Sequence, residues 1–364
     1  IGFISFVGDP NQKTMRRIIW GVVVLFFPFL LAGQEQARPE ELSDTIDIGV
    51  DLFDQRHPMD ITLTFNLKEF QRKKYRDEYL PVEFTYQIND TVRLVKSMRI
   101  KPRGDFRRDF CQLAPFWLNI RQAEVKNQHL QETTKIKIVT HCGNSSEYLE
   151  NVLKEYLVYR IYNLLTEVSF RVRLINMTYV DTGRKERITR GWAFMIEPEE
   201  MLAGRNHALV IKKDDLGMRL MDPEAFDLMA LFMYMIGNSD YSVAGRHNVK
   251  ILGLEGFGSR GYTPVPYDFD YCGLVDASYA TPGENLGIKS VKDRYFLGLC
   301  REDDDYLEAM EKINDHREEI LQLVGGFEYL GERERSEIIH YLESYFTMTS
   351  QPGYLIGLLK STCR

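Results

Sequence analysis

The feature that most constrains this chain is a change of hydrophobic period near residue 145. Between residues 46 and 138 apolar and polar residues mostly alternate, as in Asp60-Ile61-Thr62-Leu63-Thr64-Phe65, Val82-Glu83-Phe84-Thr85-Tyr86 and Phe116-Trp117-Leu118-Asn119-Ile120. A period of two puts one face of a strand toward a core and the other toward solvent. Residues 67–75 form a charged connection with helical character. Then the spacing lengthens. Asn144 caps a helix, Glu147 three residues on completes a capping-box pattern, and Leu149, Val152, Leu153, Tyr156, Ile161 and Leu164 give it a broad apolar face. Two further strands are expected near 170–179 and 191–196, then a Leu- and Met-rich helix over 223–236, and helices over 304–324 and 333–346. Strands first and helices later imply an α+β chain of two lobes with a cleft between them. The strand-rich lobe with its one long helix takes residues 46–200, and the helical lobe takes residues 201–364.

Of 364 residues, 44% are apolar and 27% charged, which suits an ordinary globular protein. The formal charge of −7 gives no overall attraction to nucleic acid, and the arginines from Arg99 to Arg108 are a local exception. Met15-Arg16-Arg17, the apolar residues 18–31 and then Ala32-Gly33 have the order of a secretory signal peptide, with an uncleaved anchor as the alternative. Pro28 breaks the apolar run, which is short for a membrane span. Residues 1–14 precede a plausible start methionine and read as upstream sequence, Gln34 stands where a lipoprotein signal needs cysteine, and residues 34–45 read as a linker. The expected location is outside the cytoplasm, in the periplasm or cell envelope. The five cysteines have no metal-type spacing. In an oxidising compartment Cys111 and Cys142 are the preferred pair, because both flank the strand-rich lobe; buried free thiols are the alternative.

The chemistry concentrates between residues 237 and 273. Ile236-Gly237-Asn238-Ser239-Asp240 ends an apolar helix with a Gly, Asn and Asp turn. Asn248-Val249-Lys250-Ile251-Leu252 and the segment from Tyr262 to Asp270 read as two strands around a glycine-containing loop, the prolines of the second marking an edge. Paired as a hairpin, they bring Asn248 to Asp268, with Asp240 on the loop that enters. Two carboxylates and a carboxamide form an oxygen-only site that suits Mg²⁺ better than Zn²⁺. Phosphoryl transfer uses such parts: one Asp takes the proton of the attacking hydroxyl, while an Asn and a second Asp hold the metal. An Asp–Asn pair can also simply close a loop by hydrogen bonding.

Asn238-Ser239-Asp240 with Asn248, followed by Val265-Pro266-Tyr267-Asp268-Phe269-Asp270, resembles the spore-coat protein H kinase-like (CotH) family, above all its exported Bacteroidota-type members. A more distant likeness is to HipA-type kinases. Arg103-Gly104, the strand ending Leu118-Asn119-Ile120, and Gly191-Trp192-Ala193-Phe194-Met195-Ile196-Glu197 are similar to the N-terminal lobe of that family. The resemblance implies a two-lobed protein-kinase-like fold, ATP with Mg²⁺ (or Mn²⁺), and a protein Ser or Thr hydroxyl as acceptor, here an unidentified envelope protein. It casts Asp240 as catalytic base, Asn248 and Asp268 as metal ligands, and Asp270 as understudy to Asp268.

The family lysine after the Arg-Gly turn is not evident at Cys111-Gln112-Leu113. Lys135 and Lys137, two apart on one strand face, are the substitutes, and Glu155 on the next helix is the expected partner of one of them. No GxGxxG loop is present, so Arg103, Arg107 and Arg108 are the candidates for phosphate contact, and Glu197 for ribose or merely a strand end. His141 and His247 have no Ser or Cys partner in a nucleophile motif and read as structural. Two other readings use the same residues: a catalytically inactive envelope binding or assembly module, and a metal-dependent hydrolase.

Overall fold

The computed structural model describes residues 40–41, 52–53, 57–120, 135–254, 260–283 and 285–364. Residues Pro39–Arg364 form one compact unit. The signal peptide and most of the linker expected from the sequence lie outside the described residues.

Eight strands make the first sheet: β1 (Glu40–Glu41), β2 (Met59–Phe65), β3 (Leu80–Gln87), β4 (Val92–Pro102), β5 (Phe116–Asn119), β6 (Lys135–Thr140), β7 (Val172–Asp181) and β8 (Arg187–Ile196). Their order is β1-β4-β3-β2-β7-β8-β6-β5, and β5 also pairs with β4, so seven strands close into a barrel. Neighbours in the ring are antiparallel except β2 and β7, which run parallel. Closure leaves no free edge among the seven, and the alternation then has a physical meaning: one side chain in two fills the interior. Met59, Ile61, Leu63 and Phe65 of β2 point into that core with Ile136 and Ile138 of β6 and Ile175 and Met177 of β7.

The outward residues of β6 to β8 face a second core. Val139, Val172, Leu174, Phe194 and Ile196 pack with Leu153, Leu157 and Ile161 of α3 (Ser146–Leu165). Ser145, one residue later than expected, is the N-cap of α3. Two short helices link barrel strands in sequence, α1 (Leu67–Arg72) between β2 and β3 and α2 (Phe106–Phe110) between β4 and β5, and Phe70 of α1 packs into the barrel core.

After the barrel come α4 (Glu199–Arg205), β9 (Ala208–Val210), α5 (Pro223–Met235), β10 (Val249–Leu254) and β11 (Thr263–Pro266). Helices α6 (Asp303–Asn314), α7 (Arg317–Gly325), α8 (Glu332–Thr349) and α9 (Pro352–Thr362) complete the chain. Asp222 caps α5 by accepting from Ala225 N at 3.1 Å, and Pro223 supplies a pre-set first turn. Eight of the nine residues from Phe226 to Tyr234 are buried, which places α5 deep in the second core. The helix expected over 304–324 is divided into α6 and α7 at His316, while β9 and α9 have no counterpart in the sequence reading.

Two disulfides staple the unit, Cys111–Cys142 and Cys300–Cys363, and Cys272 is a buried free thiol. The second ties the end of α9 to the segment before α6, where Arg364 N also donates to Gly298 O at 2.9 Å. It spans 63 residues, so its loss should release enough unfolded-chain entropy to cost about 4 kcal/mol. Cys363→Ser should therefore lower the melting temperature by roughly 5–8 °C in a thermal unfolding scan. An unchanged melting temperature would show that this bridge does not stabilise the folded chain.

Candidate functional site

The residues at the end of α5 turn sharply. Gly237 adopts φ +68°, a left-handed conformation that stops the helix without a Cβ penalty. Asn238 Oδ1 then accepts from Asp240 N at 2.8 Å, an Asx turn that fixes Asp240. Strands β10 and β11 pair antiparallel with Val249 opposite Pro266, and Tyr267 N donates to Asn248 O at 3.0 Å. The hairpin expected from the sequence is therefore present, with Asn248 and Asp268 at its open end. Both have positive φ, 53° and 64°, at the two points where the chain enters and leaves the ladder. For non-glycine residues that conformation is strained, and here it is held by specific bonds. Asn248 Nδ2 donates to Asp240 O at 2.9 Å and lies 3.1 Å from Asp240 Oδ2. Asp268 N donates to the Tyr159 hydroxyl of α3 at 2.8 Å. His247 Nε2 lies 2.9 Å from Asp240 Oδ1.

Phe269 anchors the exit of the hairpin. Its ring is fully buried, 4.7 Å from the Tyr159 ring and 5.9 Å from Phe232 of α5. With Phe269 pointing into the core, Asp268 and Asp270 are held on either side of it. The Asp268, Asp270 and Glu155 carboxylates converge, one oxygen of each lying within 4.8 Å of the others. Arg107 of α2 bridges two of them, Nη2 to Glu155 Oε2 at 2.5 Å and Nε to Asp270 Oδ2 at 2.7 Å. The Tyr279 hydroxyl donates to the same Asp270 oxygen at 3.2 Å. Fully ionised, three carboxylates and one guanidinium leave two uncompensated negative charges.

Burial dominates the electrostatics of this cluster. It raises the Glu155 carboxyl to about 8, more than Arg107 lowers it, and raises Asp270 in the same direction. Burial works against the charge of Arg107 too, but Asp270 and Glu155 outweigh it and hold the guanidinium well above its ordinary value. Glu155 Oε1 is buried with no hydrogen-bond partner among the described residues. An orphaned carboxylate oxygen, oxygen-only donors and a shortage of positive charge suit a hard divalent cation.

A basic group stands near Tyr267, the neighbour of Asp268. Lys137 Nζ lies 4.4 Å from the centre of the Tyr267 ring, and Lys250 Nζ lies 5.6 Å from it. The Arg103 guanidinium sits over Trp117 at 5.7 Å. Burial lowers the Lys137 ammonium to about 7, helped by the charges of Arg103 and Lys250 and opposed by Asp268 and Glu199. Lys250 is itself paired with Glu199 at 3.1 Å.

The structure thus brings together Asp240 with Asn248, Asp268 with Asp270 and Glu155, and Lys137 with Arg103. Other expectations need correction. Glu155 pairs with Arg107 rather than with Lys135 or Lys137, because the planar guanidinium reaches two carboxylates at once where an ammonium would be a single point charge. Lys135 is exposed and its charge acts on Asp77, away from the site. Glu197 is buried against Arg171 and Arg205, each at 3.0 Å, and closes a strand end. Arg108 lies near Asp105 and Asp109 on the surface of α2. Sequence reasoning missed the bridge made by Arg107, the contributions of Tyr159 and Tyr279, and the contact of His247 with Asp240. The adjacency of His247 to Asn248 was the one local signal for any of these.

No protein-family model and no curated protein matches the chain. Among solved structures it is similar to the Helicobacter pylori proinflammatory kinase CtkA, at 12% identity and a TM-score of 0.39, over 70% of this chain and 94% of that one. A likeness this distant does not establish a shared fold.

Two outcomes follow from the cluster. Arg107→Met leaves Glu155 and Asp270 buried without their counter-charge and should destabilise the protein by about 3–5 kcal/mol at neutral pH, measured by urea unfolding. A cost below about 1 kcal/mol, the level of a surface pair, would mean the triad is not buried as described. As the pH rises from 4.5 to about 8 the unfolded Glu155 loses its proton before the folded one does. The native state holds the extra proton there, so stability should fall with pH across that window. Lys137, lowered from 10.5 to about 7, pulls the other way above neutrality. Glu155→Gln keeps an acceptor for Arg107 and should flatten the acid-side slope; a slope identical to that of the unsubstituted protein would remove Glu155 from the account.

Proposed function

We propose that this chain is an atypical kinase-like protein that binds ATP with Mg²⁺ or Mn²⁺ and transfers phosphate to a Ser or Thr hydroxyl of another protein. The observation that carries this reading is the hairpin mouth. There Asp240 and Asn248 are hydrogen-bonded to one another, and Asp268 belongs to a carboxylate cluster and also acts electrostatically on a basic group. Phosphoryl transfer asks little more of a protein than positioning and charge stabilisation, and these residues supply both signs of charge.

In this reading the strand-rich part, residues 46–200, serves as the N-terminal lobe and residues 201–364 as the C-terminal lobe. Asp268 and Asn248 would hold the metal, with Asp270 supporting, and the metal would supply neutralisation of the phosphate charge. Lys137 and Arg103 would hold the phosphates from the opposite side. A neighbouring cation and burial leave the ammonium of Lys137 poorly stabilised, so an anion beside it would restore its proton. Asp240 would accept the hydroxyl proton. Asn248 and His247 orient its carboxylate, one oxygen each. The resemblance to the CotH kinase-like family belongs to this proposal, as do export to the cell envelope and an acceptor protein there.

One observation favours the alternative of an inactive binding or assembly module. The helix glutamate that would pair with a nucleotide-binding lysine is already engaged by Arg107.

A radiolabelled phosphate-transfer assay with Mg²⁺ or Mn²⁺, run beside thermal shift with ATP and metal, tests the proposal. Unsubstituted protein should gain about 2–3 kcal/mol of stability at saturating ATP and metal. Asp240→Ala should keep that gain and lose roughly 10²- to 10⁴-fold in labelling. Asp268→Asn should lose both. Labelling that survives both substitutions would defeat the assignment, and a thermal gain without labelling in any variant would favour the inactive module.

A further inference from the structure

A cavity of about 390 Å³ opens at the barrel end, where β2 passes into α1 and where β7 turns into β8. It is lined by neither Asp268 nor Lys137, so it is separate from the hairpin mouth. Phe65, Leu113, Tyr179 and His141 supply its apolar and aromatic wall, while Lys68, Arg184 and Arg187 stand at its rim. The volume is within the range of small-molecule sites.

Three observations distinguish it from an ordinary surface dent. First, the Tyr179 hydroxyl and His141 Nδ1 are buried polar atoms with no hydrogen-bond partner among the described residues, although their side chains are only 4% and 2% exposed. Both atoms lie sealed behind the cavity wall, which is therefore polar beneath its aromatic face, and a shift of that wall would give either one a partner. Second, Lys68, Arg184 and Arg187 make no ion pair among the described residues. The one carboxylate in the lining, Asp181, is occupied locally, its Oδ1 accepting from Leu67 N and Gly183 N at 3.0 Å each. Three cations therefore face one engaged anion. Third, the wall is pre-formed. The Cys111–Cys142 disulfide and the bond from Gln112 N to Cys142 O at 3.0 Å join the two loops that carry Leu113 and His141. A site that is already ordered loses little entropy when it binds.

We propose that this cavity is a second ligand site, taking a small organic anion with an aromatic body, of the aryl phosphate or aryl carboxylate class. The ring would lie among Phe65, Leu113 and Tyr179, and the anionic group would meet Arg184, Arg187 and Lys68. Arginine is suited to this because its fork matches the oxygens of a phosphate or carboxylate in pairs. Because the site shares no residue with the hairpin mouth, it stands whether or not the kinase reading does.

Titration with phenyl phosphate by isothermal calorimetry or ligand-observed NMR tests this, with benzyl alcohol as the neutral counterpart. Phenyl phosphate should bind saturably with a Kd below about 1 mM, and benzyl alcohol at least ~10-fold more weakly. Arg184→Ala combined with Arg187→Ala should weaken phenyl phosphate by about 10-fold or more. Both arginines are exposed and make no ion pair among the described residues, so the double variant should keep its melting temperature; Lys68→Ala serves as the independent check. No saturable binding, or an affinity unchanged in the double variant, overturns the proposal. So does binding that Lys137→Ala abolishes and the double variant leaves intact, because that anion would sit at the hairpin mouth.

Discussion

Arg107 reaches from the short helix α2 to a carboxylate on α3 and another just beyond β11, and so joins three stretches of chain that are remote in sequence. The contact is buried, and neither carboxylate would tolerate that environment alone. Each charge was taken out of water at a cost that only the partners offset. The cluster is therefore a weak source of net stability but a strong determinant of geometry: any arrangement that moves α2, α3 or the Asp268–Asp270 segment separates a buried charge from its counter-ion. It also fixes the local charge. With one guanidinium against three carboxylates the cluster is short of positive charge, and burial answers by holding a proton near neutrality. A divalent cation would substitute for that proton, which couples metal binding to proton release.

The rest of the site follows from how the hairpin is mounted. Phe269 and Tyr159 lock the exit of β11 onto α3, while the turn at Gly237 ties its entrance to the end of α5. Gly273 N and Leu274 N donate to Gly237 O and Ile236 O at 3.0 Å each, so the two ends of the 237–273 segment are fastened together. Held at both ends, the segment presents Asp240, Asn248 and Asp268 from backbone that is not free to relax. The closed barrel supplies the facing side. Lys137 lies on β6 and Arg103 follows β4, strands whose register is set by their common neighbour β5.

Much of this was legible where the determinants are local. The hairpin could be read because the Asn and Asp turns and a period of two are encoded within about thirty residues, from Asn238 to Asp268. Helix α3 and the α5 stop were legible for the same reason, as was the preference for Cys111 with Cys142. What escaped was non-local. Closure of the barrel depends on β2 meeting β7 in parallel and on β5 returning to β4, and neither pairing leaves a mark in either strand alone. Among Arg103, Arg107 and Arg108, spacing does not tell which one turns inward; the path of α2 decides that. The expected pairing of Glu155 with a lysine failed because a closer cation of better shape was already placed beside it. The Cys300–Cys363 bridge joins two positions 63 residues apart, and nothing local to either one marks the pairing.

The proposed role of the hairpin mouth requires Asp268 to lie at a site that takes a divalent cation together with a nucleotide. Mn²⁺ binding followed by electron paramagnetic resonance, with and without ATP, addresses that directly. Free Mn²⁺ signal should fall on adding unsubstituted protein and ATP, in proportion to one site per chain, and Asp268→Asn should leave the signal where ATP alone puts it. Equal loss of signal with the unsubstituted protein and with Asp268→Asn would contradict the account.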